Sequence, residues 1–171
     1  VGAEVDPATL TTQEILAKVK AAGIVGLGGA GFPTHVKLAP KDPAAIKYVI
    51  ANGAECEPYI TCDDQLMRNY ADEIVGGLKI MLQLFPNAEG VVLIEENKPE
   101  AIAAVQKVCA NENKIHVHPV HVKYPQGGER AIMDVVAGKH IKLGMLPADV
   151  GCVVDNVATV RAIYRAVAKT E

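Results

Sequence analysis

Four short runs constrain the fold of this chain more than any other feature: Tyr48–Asn52 (YVIAN), Gly90–Glu95 (GVVLIE), Ile115–Tyr124 (IHVHPVHVKY) and Gly151–Asp155 (GCVVD). They are rich in β-branched residues and show little polar alternation, which predicts parallel strands covered on both faces. The third run is longer and holds Pro119, whose missing N–H suits a bent or edge strand. Helical patterns separate the runs. Thr11 and Glu14 form a capping box that opens a helix running to about Ala22. Asp63–Leu84 carries Leu66, Met67, Ile74, Leu78, Met81 and Leu82 near a helical period, predicting one long helix. Asn97–Glu100 reads as an N-cap ahead of Ile102, Val105 and Val108, and Gly128–Ala137 and Ala158–Ala168 are the last helices. The order predicts an α/β fold: a three-layer sandwich around a mostly parallel sheet of about four strands.

Composition narrows the class. A length of 171 residues suits one domain, and 50% hydrophobic with 22% charged residues excludes a disordered chain. A net charge of −3 and a pI near 6.0 argue against nucleic acid, and 4% aromatics without Trp leave no base-stacking platform. The best apolar run, Ile74–Phe85, is short and interrupted by Lys79 and Gln83, so no membrane span is expected. No signal peptide is legible, and the opening Val suggests a processed product or a piece of something longer. Cys56, Cys62, Cys109 and Cys152 form no C-x-x-C and read as reduced thiols, with no zinc or iron–sulfur site. His116 and His118 share a strand face, but Pro119 separates His121 and no carboxylate completes a set, so no metal is expected.

Gly23 to Thr34 reads GIVGLGGAGFPT, and Gly26, Gly28 and Gly31 match G-x-G-x-x-G in letters. A Rossmann fingerprint must follow a strand and open a helix. Here a helix precedes it, with Gly23 placed as a left-handed C′ residue, and Pro33, Pro40 and Pro43 block a long helix after it. The ordinary Rossmann reading is therefore rejected. A backbone cradle for a phosphate or flat ring survives, beside the alternative of a mobile linker. Phe32-Pro33 is bulky and stiff where a linker would be polar.

Polar residues gather after the predicted strands. Asn52, Glu55 and Glu57 follow the first, Tyr124, Gly127, Gly128 and Glu129 the third, and Asp155, Asn156 and Thr159 the fourth. Each group alone reads equally as a turn or a helix cap. Their convergence at one sheet edge, where open α/β sheets bind ligands, favours a site.

GLGGAGFPTHVK, NGAECEPYITCDD, KYPQGGE, LPADVG and DNVAT, in this order, resemble the RnfC-type component of the Rnf complex, an ion-translocating NADH:ferredoxin oxidoreductase. The flavoprotein subunit of respiratory complex I is a further likeness. The resemblance runs from about Gly23 to the C-terminus and implies a Rossmann-like α/β domain that holds FMN and admits NADH. By motif, Gly26, Gly28 and Lys37 would line the FMN phosphate and isoalloxazine site, with Asn52 and Glu55 on FMN polar atoms. Tyr124, Gly127 and Glu129 would contact flavin or nicotinamide, and Asp155, Asn156 and Thr159 the phosphate side. Phe32, stacking on the adenine, and Glu57 would serve NADH. The resemblance further implies a peripheral place on the cytoplasmic face of the membrane among other subunits. The 4Fe-4S clusters would lie elsewhere in the full-length polypeptide, since neither a tandem C-x-x-C-x-x-C motif nor a β-grasp segment is present.

Three departures from the complex I pattern each delete a polar contact: Leu27 replaces an Arg, Ala54 replaces an acid, and Gly127-Gly128-Glu129 has one acid where that relative has two. They motivate a rival reading, a docking domain that keeps the fold without flavin. A third, a soluble NAD-dependent dehydrogenase, lacks both the loop context and a catalytic His or Lys–Tyr pair.

Overall fold

The computed structural model describes residues 4–138 and 144–170. Its elements run α1 (Thr12–Ala21), α2 (Thr34–Lys37), β1 (Tyr48–Gly53), α3 (Cys62–Asn69), α4 (Ala71–Leu82), β2 (Glu89–Glu95), α5 (Pro99–Cys109), β3 (Ile115–Val120), α6 (Glu129–Ala137), β4 (Cys152–Asn156) and α7 (Val157–Ala168). The capping box forms as expected: Thr11 Oγ1 accepts from Glu14 N–H at 3.3 Å, and the Glu14 carboxylate accepts from Thr11 N–H at 2.8 Å. Gly23 closes α1 at φ +65°, the left-handed state that a C′ residue needs.

The sheet has the order β3-β2-β1-β4, with every pairing parallel. Chain order steps one way from β1 to β3, then returns to place β4 on the far side of β1. That reversal puts a topological switch point between β1 and β4, where crossovers leave on opposite faces and a crevice opens at the carboxyl ends. Asn52 and Asn156 stand side by side there in register.

Two cores follow from this path. Ile15, Val49, Val92, Leu78, Val105 and Val160 belong to the large one, which packs α1, α3, α4, α5 and α7 on one face of the sheet. Ile50, Leu93, Val154 and Ile132 belong to the small one, under α6 on the other. Helices α4 and α7 touch closely through glycine: a Cβ at Gly77 would lie 2.1 Å from the Val160 carbonyl oxygen. The expected α/β three-layer sandwich is therefore the observed one.

Several boundaries differ from the sequence expectations. The long helix over 63–84 is two helices, broken at Tyr70 (φ −136°), whose ring lies 3.8 Å under the Arg161 guanidinium. The third strand stops at Val120 and occupies the sheet edge, where Pro119 leaves no inner ladder bond unmade. Helix α5 starts at Pro99 with Lys98 as its N-cap residue, so Asn97 does not cap it and proline at the first turn marks the start instead. The proline-rich piece after Phe32 holds only the single turn α2 and a short 3-10 turn at Pro43–Ala45.

Candidate functional site

The glycine stretch folds as a narrow hairpin. Val25 bridges Pro33 antiparallel, Gly26 N–H donates to Phe32 O at 2.9 Å, and Thr34 N–H donates to Ile24 O at 3.1 Å. Gly29 (φ +115°) and Gly31 (φ +61°) turn the tip through backbone states that disfavour other residues. A helix precedes the hairpin and one turn of helix follows it, so the strand–loop–helix context of a Rossmann fingerprint is absent, as the sequence indicated. Leu27 N–H donates to Thr159 Oγ1 at 2.9 Å, fastening the loop to the first turn of α7. Gly28 lies against Asn156, where a Cβ would come within 3.4 Å of the Asn156 Cβ.

Amides stitch the strand ends together. Asn52 Oδ1 accepts from Ala54 N–H at 3.0 Å while its Nδ2 donates to Gly127 O at 3.1 Å, tying the β1 loop to the segment before α6. Asn156 Oδ1 caps α7 through Ala158 N–H at 2.8 Å, and its Nδ2 donates to Asp63 Oδ2 at 2.7 Å. The capping reading of Asn156 therefore holds, with a second bond that sequence did not suggest. Glu55 turns away to the N-terminus of α3, accepting from Asp63 N–H at 2.9 Å with Lys98 Nζ 3.6 Å away. Burial pushes the Asp63 carboxyl above its ordinary range, against the Asn156 bond.

An open cleft lies between the hairpin, α2 and the ends of β1 and β4. Its one cation among the described lining residues is Lys37, held by α2. Lys37 Nζ donates to Val154 O at 2.7 Å and sits 3.2 Å from Asp155 Oδ1 and 3.7 Å from Glu129 Oε1. The Asp155 contact has ion-pair distance without hydrogen-bond alignment, and neither Asp155 oxygen has an aligned donor among the described residues. Asp155 is 2% exposed. Burial pushes its carboxyl up to about 6, with Lys37 pulling it down and Glu129 adding to the rise.

Gly26, Gly28, Phe32, Lys37, Asn52 and Gly127 therefore meet around one cleft, joined by Glu129, Asp155 and Asn156. Four other candidates stand outside its lining. Thr159 is fully buried behind the hairpin, and Glu55 faces α3. Glu57 and Tyr124 are exposed, Tyr124 to 72%. Ala30 lines the cleft and Asp63 braces it, and the sequence points to neither: a small residue carries no chemical signal, and an acid at a helix start looks like a dipole partner. His116 and His118 lie on an edge strand, His118 exposed, and His121 pairs with Glu96 at 2.7 Å. Among the described residues the only cluster of metal-type ligands is Glu55, Cys62 and Asp63.

Sheet order, switch point and glycine hairpin together define a Rossmann-like α/β domain with a cleft at the carboxyl ends of its strands. The chain belongs to the family described as the Nuo51 FMN-binding domain, which matches residues 19–165. Its similar relatives include the C subunits of two oxidoreductase complexes. One, from the Na(+)-translocating ferredoxin:NAD(+) oxidoreductase complex of Acetobacterium woodii, is 46% identical over 142 residues, covering 83% of this chain and 32% of that protein. The other, from the ion-translocating oxidoreductase complex of Pasteurella multocida, is 41% identical over 163 residues, covering 95% of this chain and 19% of that protein. The chain thus spans between a fifth and a third of the length of these relatives. A solved NAD+-reducing [NiFe]-hydrogenase in its air-oxidized state shares the fold, with a TM-score of 0.75 at 25% identity over 95% of this chain and 30% of that one.

Proposed function

We propose that this domain binds FMN in the cleft at the β1/β4 switch point and serves the NADH-oxidising step of an Rnf-type ion-translocating ferredoxin:NAD oxidoreductase. The single observation that carries the reading is Asp155, buried and without an aligned donor beside Lys37 in a cleft walled by a glycine hairpin. A buried polar group left in that state marks a place that a ligand completes. FMN fits the residues present: Lys37 meets the anionic phosphate, and Gly26 and Gly28 allow close backbone approach. Asn52 and Asn156 hold the walls in register. Bound there, FMN supplies hydride acceptance from NADH and release of single electrons to iron–sulfur clusters elsewhere in the full-length polypeptide.

The other residues take supporting parts. Thr159 positions the hairpin through Leu27 N–H rather than touching the flavin. Glu55 sets the start of α3, which in turn presents Asp63 to Asn156. Phe32 and Glu129 line the cleft and would meet an entering nicotinamide nucleotide, with the exposed Glu57 and Tyr124 as its further contacts. An Rnf-type role gives the domain a peripheral cytoplasmic place among membrane subunits. No described helix is long and apolar enough to cross a membrane.

The cleft's charge favours a second reading. Two acids, Asp155 and Glu129, already share the one lysine, and this suits a docking domain that has lost flavin. Titration of the full chain with FMN, followed by flavin fluorescence, decides between them. Stoichiometric binding and bleaching of the bound flavin by NADH are expected, and a folded protein that ignores FMN overturns the reading.

A further inference from the structure

Resting on the FMN reading, we infer that Asp155 takes up a proton when the flavin phosphate joins Lys37, so that cofactor binding and protonation of this one carboxyl are coupled. Charge is the first consideration. At neutral pH the phosphate of FMN carries between one and a half and two negative charges, by the general behaviour of phosphate monoesters of about −1.5 to −2. Lys37 is the only cation lining the cleft among the described residues, and it is already shared between Asp155 at 3.2 Å and Glu129 at 3.7 Å. A phosphate arriving there would make three anionic groups around one ammonium.

One of the three must lose charge, and geometry selects Asp155. Glu129 is half exposed, so water screens it and its side chain is able to swing away. Asp155 is 2% exposed on the edge strand β4, opposite Ala51 of β1 in register, and its burial leaves it little room to turn away. Its oxygens have no aligned donor among the described residues, so a carboxylate there is poorly held before any ligand arrives. Burial already places its titration near neutrality, at about 6. Once protonated, the same group changes from acceptor to donor and is able to give a hydrogen bond to a phosphate oxygen.

Among the described residues, the charged groups that face Asp155 are two. From α2 comes Lys37, which favours the carboxylate, and from α6 comes Glu129, which disfavours it. From β1 and the hairpin, the cleft receives only Asn52, Gly26, Gly28, Ala30 and Phe32, none of which titrates. From α3, Asp63 reaches only as far as Asn156, to which it is bonded at 2.7 Å.

The test is calorimetric titration of the full chain with FMN in buffers of different ionisation enthalpy, which reads protons exchanged per flavin bound. Uptake of about one proton is expected above the Asp155 titration, with the FMN dissociation constant rising about tenfold per pH unit from about pH 7 to 8. Riboflavin, which lacks the phosphate, is expected to take up none. Asp155→Asn is expected to bind FMN without the proton and with a flat pH profile. A measurement that needs no variant accompanies it: an FMN-induced infrared difference spectrum of the unaltered protein, in which a new protonated-carboxyl band is expected. FMN binding without proton uptake, uptake unchanged in Asp155→Asn, equal uptake with riboflavin, or no new carboxyl band overturns the inference while the FMN reading stands. Absence of FMN binding overturns both.

Discussion

Glu73 and Asp155 are both buried carboxyls beside a lysine, yet the two are held in opposite ways. Glu73, in the α4–α7 seam, accepts from Arg161 Nε at 2.6 Å and from Lys169 Nζ at 2.8 Å. Arg161 is itself stacked over the Tyr70 ring at 3.8 Å. Burial pushes Glu73 up, but the bonds from Lys169 and Arg161 outweigh it and hold the carboxyl below its ordinary range. Asp155 has, among the described residues, only the poorly aligned Lys37 to set against burial, so burial wins and its carboxyl rises to about 6. The lesson is that burial alone does not separate a structural charge from a functional one. What separates them is whether the fold completes the hydrogen bonds.

The widest test of that contrast is Glu73→Ala. It removes the carboxylate that Arg161 and Lys169 share in a partly buried seam and is expected to cost about 3 kcal/mol in urea unfolding at neutral pH. Because Glu73 titrates below its ordinary 4.5, its stabilisation is complete above that value and is lost as pH falls through the lowered folded one. The gap between variant and parent should close in acid, and a gap that persists there would refute the ion-pair account.

Removing the cleft cation is expected to damage binding. Lys37→Met is expected to weaken FMN binding by about 10- to 100-fold, the usual range for a charged hydrogen bond, as read by flavin fluorescence. Equal affinity in the variant would mean that the phosphate lies elsewhere.

Asp155→Asn is expected to stabilise the flavin-free protein, opposite in sign to Glu73→Ala. The folded value of about 6 lies above the ordinary 3.8, so the parent keeps this contribution below 3.8 and loses it as pH rises through 6. A gain of up to about 3 kcal/mol is expected above about pH 7, vanishing near about pH 4. Thermal unfolding at the two pH values measures it, and a variant destabilised at both would show that the carboxylate is well held after all. The smallest effect belongs to Thr159→Val, which leaves Leu27 N–H without its acceptor and should cost about 1 kcal/mol. Proton-exchange protection of Leu27 should fall in parallel.

The strands were legible within one or two residues at most ends because a β-branched run between turn signals is a local pattern. The same locality explains the errors. Apolar spacing continues across Tyr70, so nothing in the pattern announces the break between α3 and α4, whereas the Arg161 contact on that ring comes from far along the chain. The candidate site was legible as a gathering of strand-end residues, since parallel strands must align their carboxyl ends. The part each residue plays was less visible. Glu55 resembles a cofactor contact in sequence and is taken by α3, while Thr159 is taken by the hairpin. Both bonds join residues whose separation in sequence carries no periodic signal.

Sequence by itself determined the α/β class, the parallel sheet, the capping box on α1 and the failure of GIVGLGGAGFPT as a Rossmann fingerprint. Each of these rests on propensities and turn chemistry that act within a few residues. Only the tertiary structure decided the hairpin form of that stretch, its attachment to Thr159, and the meeting of Lys37 with Asp155 from distant parts of the chain. The physical reason is that protonation and hydrogen-bond satisfaction depend on burial, and burial belongs to the assembled sheet rather than to any segment. In sequence, Asp155-Asn156 reads as a plain helix cap. In the folded protein, Asn156 is that cap and Asp155 is a buried acid of the cleft with no aligned donor among the described residues.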